Sequence, residues 1–175
     1  MPEACRRVRY DRADHVQHRT IDSPIGPLLL AGDEGGLRFL LFGKGRHVEA
    51  PDPTWEPDRG LLEEPVRQLT AYFRAKLRAF DVPVTPAGTG FQQSVWAELQ
   101  KIPYGETISY AELARRLGNP KAVRAVGLAN GSNPISIIIP CHRVIGSNGS
   151  LVGYGGGLPT KQALLALERG QGSLL

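Results

Sequence analysis

The chain has 175 residues, 41% of them hydrophobic, with 21 Lys and Arg against 17 Asp and Glu. That is enough to bury a core as one large domain or two small ones, and no stretch approaches the roughly 18 consecutive apolar residues of a membrane-spanning helix. Two cysteines, Cys5 and Cys141, do not make a disulfide framework, so a reduced, cytoplasmic setting is expected, with Cys141 a free thiol. The charge is unevenly placed. Residues 1–90 carry 13 basic and 13 acidic side chains, whereas residues 91–175 carry 8 and 4. The excess lies in the half that holds Cys141 and permits a polyanionic partner.

Residues 1–17 read as a charged leader without the apolar stretch of a secretory signal. Residues 18–42 read as strands, their apolar runs broken by Ser-Pro, Gly-Pro and Asp-Glu-Gly-Gly. The proline-rich stretch 43–59 is predicted to be loop. Over residues 61–80, Leu62, Val66, Leu69, Tyr72, Phe73 and Leu77 recur at helical spacing and predict one amphipathic helix. "DVPVTPAGTG" (81–90) is a connector and the candidate boundary between an N-terminal α/β domain (18–84) and a C-terminal domain (85–175).

Beyond it, Thr89 is placed to cap a helix whose apolar stripe is Phe91, Val95, Trp96 and Leu99. After the turn "PYGETISY", Ser109 and Glu112 have capping-box spacing, and the helix they open stops at Gly118 and Asn119. A second helix is predicted to restart with Pro120 in its first turn. Two short helices joined by a Gly-Asn-Pro corner describe a helix-turn-helix. The second is rich in small residues: Ala122, Ala125, Gly127, Ala129 and Gly131. Glycine inside a helix costs about 1 kcal/mol against alanine, so either close core packing or the approach of another backbone, such as nucleic acid, should compensate. Arg124 favours the second, because the N-terminal part of a recognition helix usually meets the groove.

The run "PISIIIPCHRVI" predicts a buried strand from Ile135 to Ile139, ended by Pro140. Adjacent strand side chains point to opposite faces, so His142 would reach the Cys141 sulfur only through a water or if the chain turns helically after the proline. A cysteine nucleophile acts as thiolate and needs a base. His142 is the only histidine in this half, and the base needs a carboxylate to orient it. Glu168, at the end of the apolar stretch 163–167, is the odd acid here. Asn133 and Ser136 stand nearby. No metal is expected, since nothing completes a zinc spacing around Cys141 and His142, and "GYGGG" (153–157) lacks a phosphate-loop register. It reads as a binding loop carrying Tyr154. A Cys-His hydrolase stays open but would need an oxyanion hole that no motif supplies. A plain helix-turn-helix transcription factor would leave the Cys141–His142 pair without a purpose.

"IPYGETISYAELARRLGNPKAVRAVGLANGSNP" followed by "IPCHRVIGSNGSLVGYGGGLPTKQALLALE" closely resembles the O6-alkylguanine-DNA alkyltransferases. The likeness is dense from Phe91 to Glu168 and weaker over "HRTIDSPIGPLLLAG". It implies an α/β fold: a small N-terminal antiparallel sheet plus helix, RNase H-like, then a mostly helical part with the helix-turn-helix. It also implies single-turnover DNA repair without a cofactor, in which an alkylated guanine is flipped out of duplex DNA and its O6 alkyl group passes to Cys141. By the same resemblance His142 is a water-mediated base, Glu168 holds the imidazole and Asn133 orders the turn. Tyr110 rotates the 3′ phosphate and donates a proton to guanine N3, and Arg124 fills the vacated stack. Lys121, Ala122, Val123, Ala125 and Gly127 would meet the minor groove. Tyr154, Gly155, Gly156, Val144, Ser147 and Asn130 would line the base pocket.

Val123 departs from the small residue relatives often carry there. Neither the zinc of some relatives nor a regulatory domain is expected. The protein should be a monomer in solution, with cooperative loading on DNA and activity on O4-alkylthymine left open. The non-enzymatic alkyltransferase-like binders lack the acceptor cysteine that this chain keeps.

Overall fold

β1 (Gln17–Ile21), β2 (Leu28–Asp33) and β3 (Gly36–Phe42) form an antiparallel meander in the computed structural model, which describes residues 15–43 and 50–174. Residues 1–14 of the expected leader lie outside the described residues, while Val16 is buried. The first turn closes on Ser23, whose hydroxyl accepts from the Ile25 amide and donates to the Gly26 carbonyl. At the second, Gly36 adopts φ 143°, and a Cβ there would lie 2.7 Å from the Pro83 carbonyl oxygen, so only glycine fits.

The stretch 43–59, expected to be loop, contributes β4 (Glu56–Pro57), parallel to β1, so the sheet is mixed, in the order β3-β2-β1-β4. A proline is tolerated there because the strand is at the edge. Tertiary packing places it: Trp55 stacks on Phe39 at 5.2 Å between ring centroids.

The helix expected over 61–80 is α1 (Glu63–Phe73), which stops early. Ala75 takes φ 58° while its amide donates to the Tyr72 carbonyl and the Lys76 amide to that of Ala71. This is a Schellman stop with alanine where the sequence signal would be glycine. Leu28, Leu30, Leu40 and Phe42 on one sheet face pack against Leu62, Leu69, Tyr72 and Phe73, and the same cluster runs on through Val95, Trp96 and Leu99. Each such fully buried side chain stabilises the fold by about 1.5–3 kcal/mol.

In the C-terminal part, α2 (Gly90–Leu99) has the full capping box between Thr89 and Gln92. Of its expected apolar stripe, Phe91 is exposed and the other three are buried. β5 (Ile108–Ser109) leads into α3 (Tyr110–Arg116), where the Ser109 hydroxyl accepts from the Glu112 amide and Gly118, at φ 75°, makes the stop. α4 (Val123–Gly131) begins three residues after Pro120, which lies in the connecting turn instead of the helix. The Trp96 indole N–H donates to the Ala129 carbonyl at 2.9 Å and ties α4 to α2. β6 (Val144–Ile145) pairs with β5 in parallel, and α5 (Leu158–Glu168) closes the fold.

Two segments cover the outer edge of β3. Leu37 exchanges hydrogen bonds with Pro83 and Thr85 of the connector, and Leu40 with Pro134 and Ser136. No helix among the described residues is long and apolar enough to cross a membrane.

Candidate active site

The strand expected over Ile135–Ile139 is a compact turn. Ile135 makes one bridge to Leu40, then Ile137 flips to φ 72° and the Ile139 amide returns to the Ile135 carbonyl at 3.0 Å. Asn133 spans it from inside, its Oδ1 accepting from the Ile135 amide at 3.0 Å and its Nδ2 donating to the Ile139 carbonyl at 2.8 Å. A β-branched residue at positive φ costs about 1–3 kcal/mol and persists only where neighbours impose it. Pro140 then feeds a single 3₁₀ turn, Cys141–Arg143. Side chains there step by about 120° per residue. Cys141 faces a cleft, and His142 and Arg143 turn into the interior.

Both meet Glu168. The carboxylate accepts from His142 Nε2 at 2.7 Å, from Arg143 Nε and Nη2 at 2.9 Å each, and from the Tyr72 hydroxyl at 2.7 Å. Arg143 Nη1 donates to the Ile102 carbonyl at 2.7 Å. Burial alone would raise the Glu168 pKa, but hydrogen bonds and charge from His142 and Arg143 bring it down to about 2. His142 is fully buried, and that burial lowers its pKa in spite of Glu168, so the resting imidazole is neutral. With Nε2–H committed to the carboxylate, Nδ1 carries the lone pair. It has no partner among the described residues.

The Cys141 thiol is pushed up by burial, while Asn133, the Lys161 charge and Ser136 draw it back in part. Lys161 was not singled out from the sequence. It is fully buried on α5, its ammonium donating to the carbonyls of Val144 at 2.6 Å and Val152 at 3.2 Å. Its spacing of three, four and seven residues from Leu164, Leu165 and Glu168, which puts it on the buried face of that helix, is the signal that could have found it. Tyr72 and Arg143 were missed too, because their partner is remote in sequence.

Cys141 lies in a cleft of about 550 Å³, within the usual range for small-molecule sites. The cleft gathers Tyr110, Arg124, Asn133, Asn130, Tyr154 and Gly155 around the thiol, along with Val123 and Gly127. The buried Asn130 Oδ1 and Tyr154 hydroxyl have no partner among the described residues. Unmet buried polar atoms in a cleft mark a place for a ligand.

Three expected pocket residues do not line the cleft. Ser147 is exposed in the turn after β6, Val144 is buried in β6 with its carbonyl on Lys161, and Gly156 sits behind the cleft against the Phe42 ring. Leu41, Phe42, Leu128 and Val152 line it unforeseen, and Ser136, expected near the thiol, lines it as well.

The outer face of α4 presents Val123, Arg124, Ala125 and Leu128, with Lys121 exposed just before the helix and Ala122 as its N-cap. No side-chain cap covers the first turn, which leaves its amides available to an anion. Nothing lies within 4 Å of a Cβ built on Gly131, and one on Gly127 would make only an ordinary contact with the Tyr110 ring at 3.9 Å. Ala129 is buried. Core packing therefore explains Ala129 and leaves Ala125, Gly127 and Gly131 small for another reason.

Comparison with known proteins gives consistent matches. Residues 16–86 match the family profile "6-O-methylguanine DNA methyltransferase, ribonuclease-like domain" and residues 90–170 the profile "6-O-methylguanine DNA methyltransferase, DNA binding domain". A Methanosarcina acetivorans protein named methylated-DNA–protein-cysteine methyltransferase is 57% identical over 154 residues, 87% of this chain and 98% of that one. The protein of that name from Mycobacterium tuberculosis is 54% identical, over 88% of this chain and 93% of its own. A crystal structure of Mycobacterium tuberculosis OGT in complex with DNA superposes with a TM-score of 0.84 at 53% identity, over 90% of this chain and 95% of that one.

Proposed function

Since the chain belongs to the 6-O-methylguanine DNA methyltransferase family, we propose that it repairs duplex DNA by moving the alkyl group from O6 of an everted guanine onto Cys141. The observation that carries this reading is a single 3₁₀ turn that sets Cys141 on a cleft and, at the next residue, a buried imidazole already oriented by Glu168. The thiol proton passes through a water to His142 Nδ1, and Glu168 stabilises the imidazolium so formed. The sulfur attacks the alkyl carbon, the C–O6 bond breaks, and its electron pair leaves with guanine. Tyr110, at the cleft wall with its hydroxyl on the Val152 carbonyl, supplies the proton that makes guanine a better leaving group. The product is a thioether and an unmodified base, so each molecule reacts once.

The exposed face of α4 meets the DNA. Its small residues let the backbone approach a groove, and Lys121 and the uncapped first turn contact phosphate. Arg124 is exposed, without a hydrogen bond or ion pair among the described residues, at the mouth of the cleft. It enters the stack where the base has left. The protein is a monomer in solution.

The test is an oligonucleotide whose O6-methylguanine carries a labelled methyl. One label per molecule is expected on the peptide containing Cys141, and none in Cys141→Ser. An unlabelled cysteine, or many lesions cleared per molecule, would overturn the reading. Extrusion of a paired base costs a few kcal/mol, so Arg124→Ala should slow repair of duplex lesions by at least about tenfold. Its reaction with free O6-methylguanine base should match the parent protein, and an equal loss on the free base would remove Arg124 from that role.

A further inference from the structure

We propose that Phe42, supplied by the N-terminal sheet, sets the width of the alkyl pocket and so the size of adduct the protein accepts, an inference that rests on the alkyl-transfer reading. β3 reaches the cleft with its last two residues, Leu41 and Phe42, which line it together with Tyr154 and Gly155. Its register against the reactive turn is fixed two residues earlier. The Leu40 amide donates to the Pro134 carbonyl at 2.9 Å and the Ser136 amide to the Leu40 carbonyl at 3.1 Å, five residues before Cys141. The sheet and the nucleophile therefore share one hydrogen-bonded frame.

From that frame the Phe42 ring, nearly buried, supports the glycine-rich loop. It meets the Tyr154 ring edge-on at 5.5 Å between centroids. Three of its carbons lie 3.0 Å from where a Gly156 Cβ would be, so the loop backbone is seated flat against the ring. Opposite, Lys161 and the Tyr110 hydroxyl hold the Val152 carbonyl. The loop is thus clamped between α3 and α5 on one side and Phe42 on the other, and Tyr154 cannot swing outward while the ring is in place. Leu41 and Phe42 carry no titratable group, so their contribution to the cleft is one of shape.

Hydrophobic walls discriminate by size over about 10- to 200-fold. The ratio of transfer rates from O6-benzylguanine and O6-methylguanine, each in the same duplex, is the readout. Phe42→Ala should move this ratio about tenfold toward benzyl, and Phe42→Leu by a smaller step in the same direction. Gly156→Ala should move it the other way by pressing the loop off the ring, and adding Phe42→Ala should cancel that effect because the colliding atoms are gone. A structural role alone would lower both rates together and leave the ratio and the cycle flat. A ratio within about twofold of the parent in Phe42→Ala, or in Phe42→Leu if the alanine variant does not fold, overturns the proposal. So does additive behaviour of the two substitutions. The parent protein in the same assay keeps the two readings apart: failure to accept a methyl on Cys141 there refutes the alkyl-transfer reading, whereas an unchanged ratio with normal methyl transfer refutes only the role of Phe42.

Discussion

Glu168→Ala is expected to lower stability by about 3–5 kcal/mol, since removing one partner of a buried ion pair strands the other charge, and to abolish alkyl transfer. The carboxylate neutralises Arg143, whose side chain is almost wholly buried, and orients the imidazole of His142, while Tyr72 joins α1 to the same oxygen. Urea denaturation reads the stability. Glu168→Gln keeps the shape and removes the charge, so it separates the two contributions.

The pH dependence follows from the same contacts. Glu168 is depressed from 4.5 to about 2 in the folded protein, which makes its contribution on the order of 3 kcal/mol. A depressed acid stabilises fully above its unfolded value and loses that contribution as the pH falls from 4.5 toward 2. His142 is a base held down by burial. The unfolded chain takes up its proton first, so stability begins to fall as the pH drops through 6.5. Parent and Glu168→Gln curves should converge between pH 4.5 and 2. A difference that stayed constant across that range would contradict the assignment.

Asn133→Ala should cost about 2–4 kcal/mol, because it leaves the buried Ile135 amide and Ile139 carbonyl without their side-chain partners. The effect on chemistry is separate. The turn that sets Ile137 at φ 72° delivers Cys141 to the cleft, and Asn133 is among the groups that draw the thiol down against the effect of burial. Without it the thiol should titrate higher, and the pH profile of its reaction with iodoacetamide should move to the alkaline side. Transfer should slow by at least about tenfold, since small displacements of a nucleophile are costly. An unmoved profile would show that Asn133 only fills space.

What the sequence disclosed was local. Thr89, Ser109 with Glu112, and Gly118 announce helix ends within a few residues of themselves, and each does so in the structure. The Cys141–His142 pair was legible as chemistry for the same reason. Hidden features depend on distant partners. Ile135–Ile139 has the composition of a strand, yet Asn133 and the edge of β3 bend it into a turn that puts an isoleucine at positive φ. Phe42 reads as one more core residue until the fold brings Gly156 against it. α1 ends on Ala75, where no glycine marks the stop. Ser147 and Val144, placed in the pocket by the resemblance, follow Cys141 closely in the chain, yet β6 carries them away from the cleft.

The hydrogen bonds that close the outer side of β3 have a wider consequence. An unpaired strand offers a row of donors and acceptors to any neighbouring chain. Here one end of that row is taken by residues 83–85 and the middle by residues 134–136, while the opposite border of the sheet is a two-residue strand ending in proline. The sheet has little backbone left with which to recruit a second molecule, and it keeps that protection only while the two parts of the chain stay together. A fragment comprising the sheet without residues 134–136 should therefore be the aggregating half of the molecule, even though it carries no part of the reactive pair.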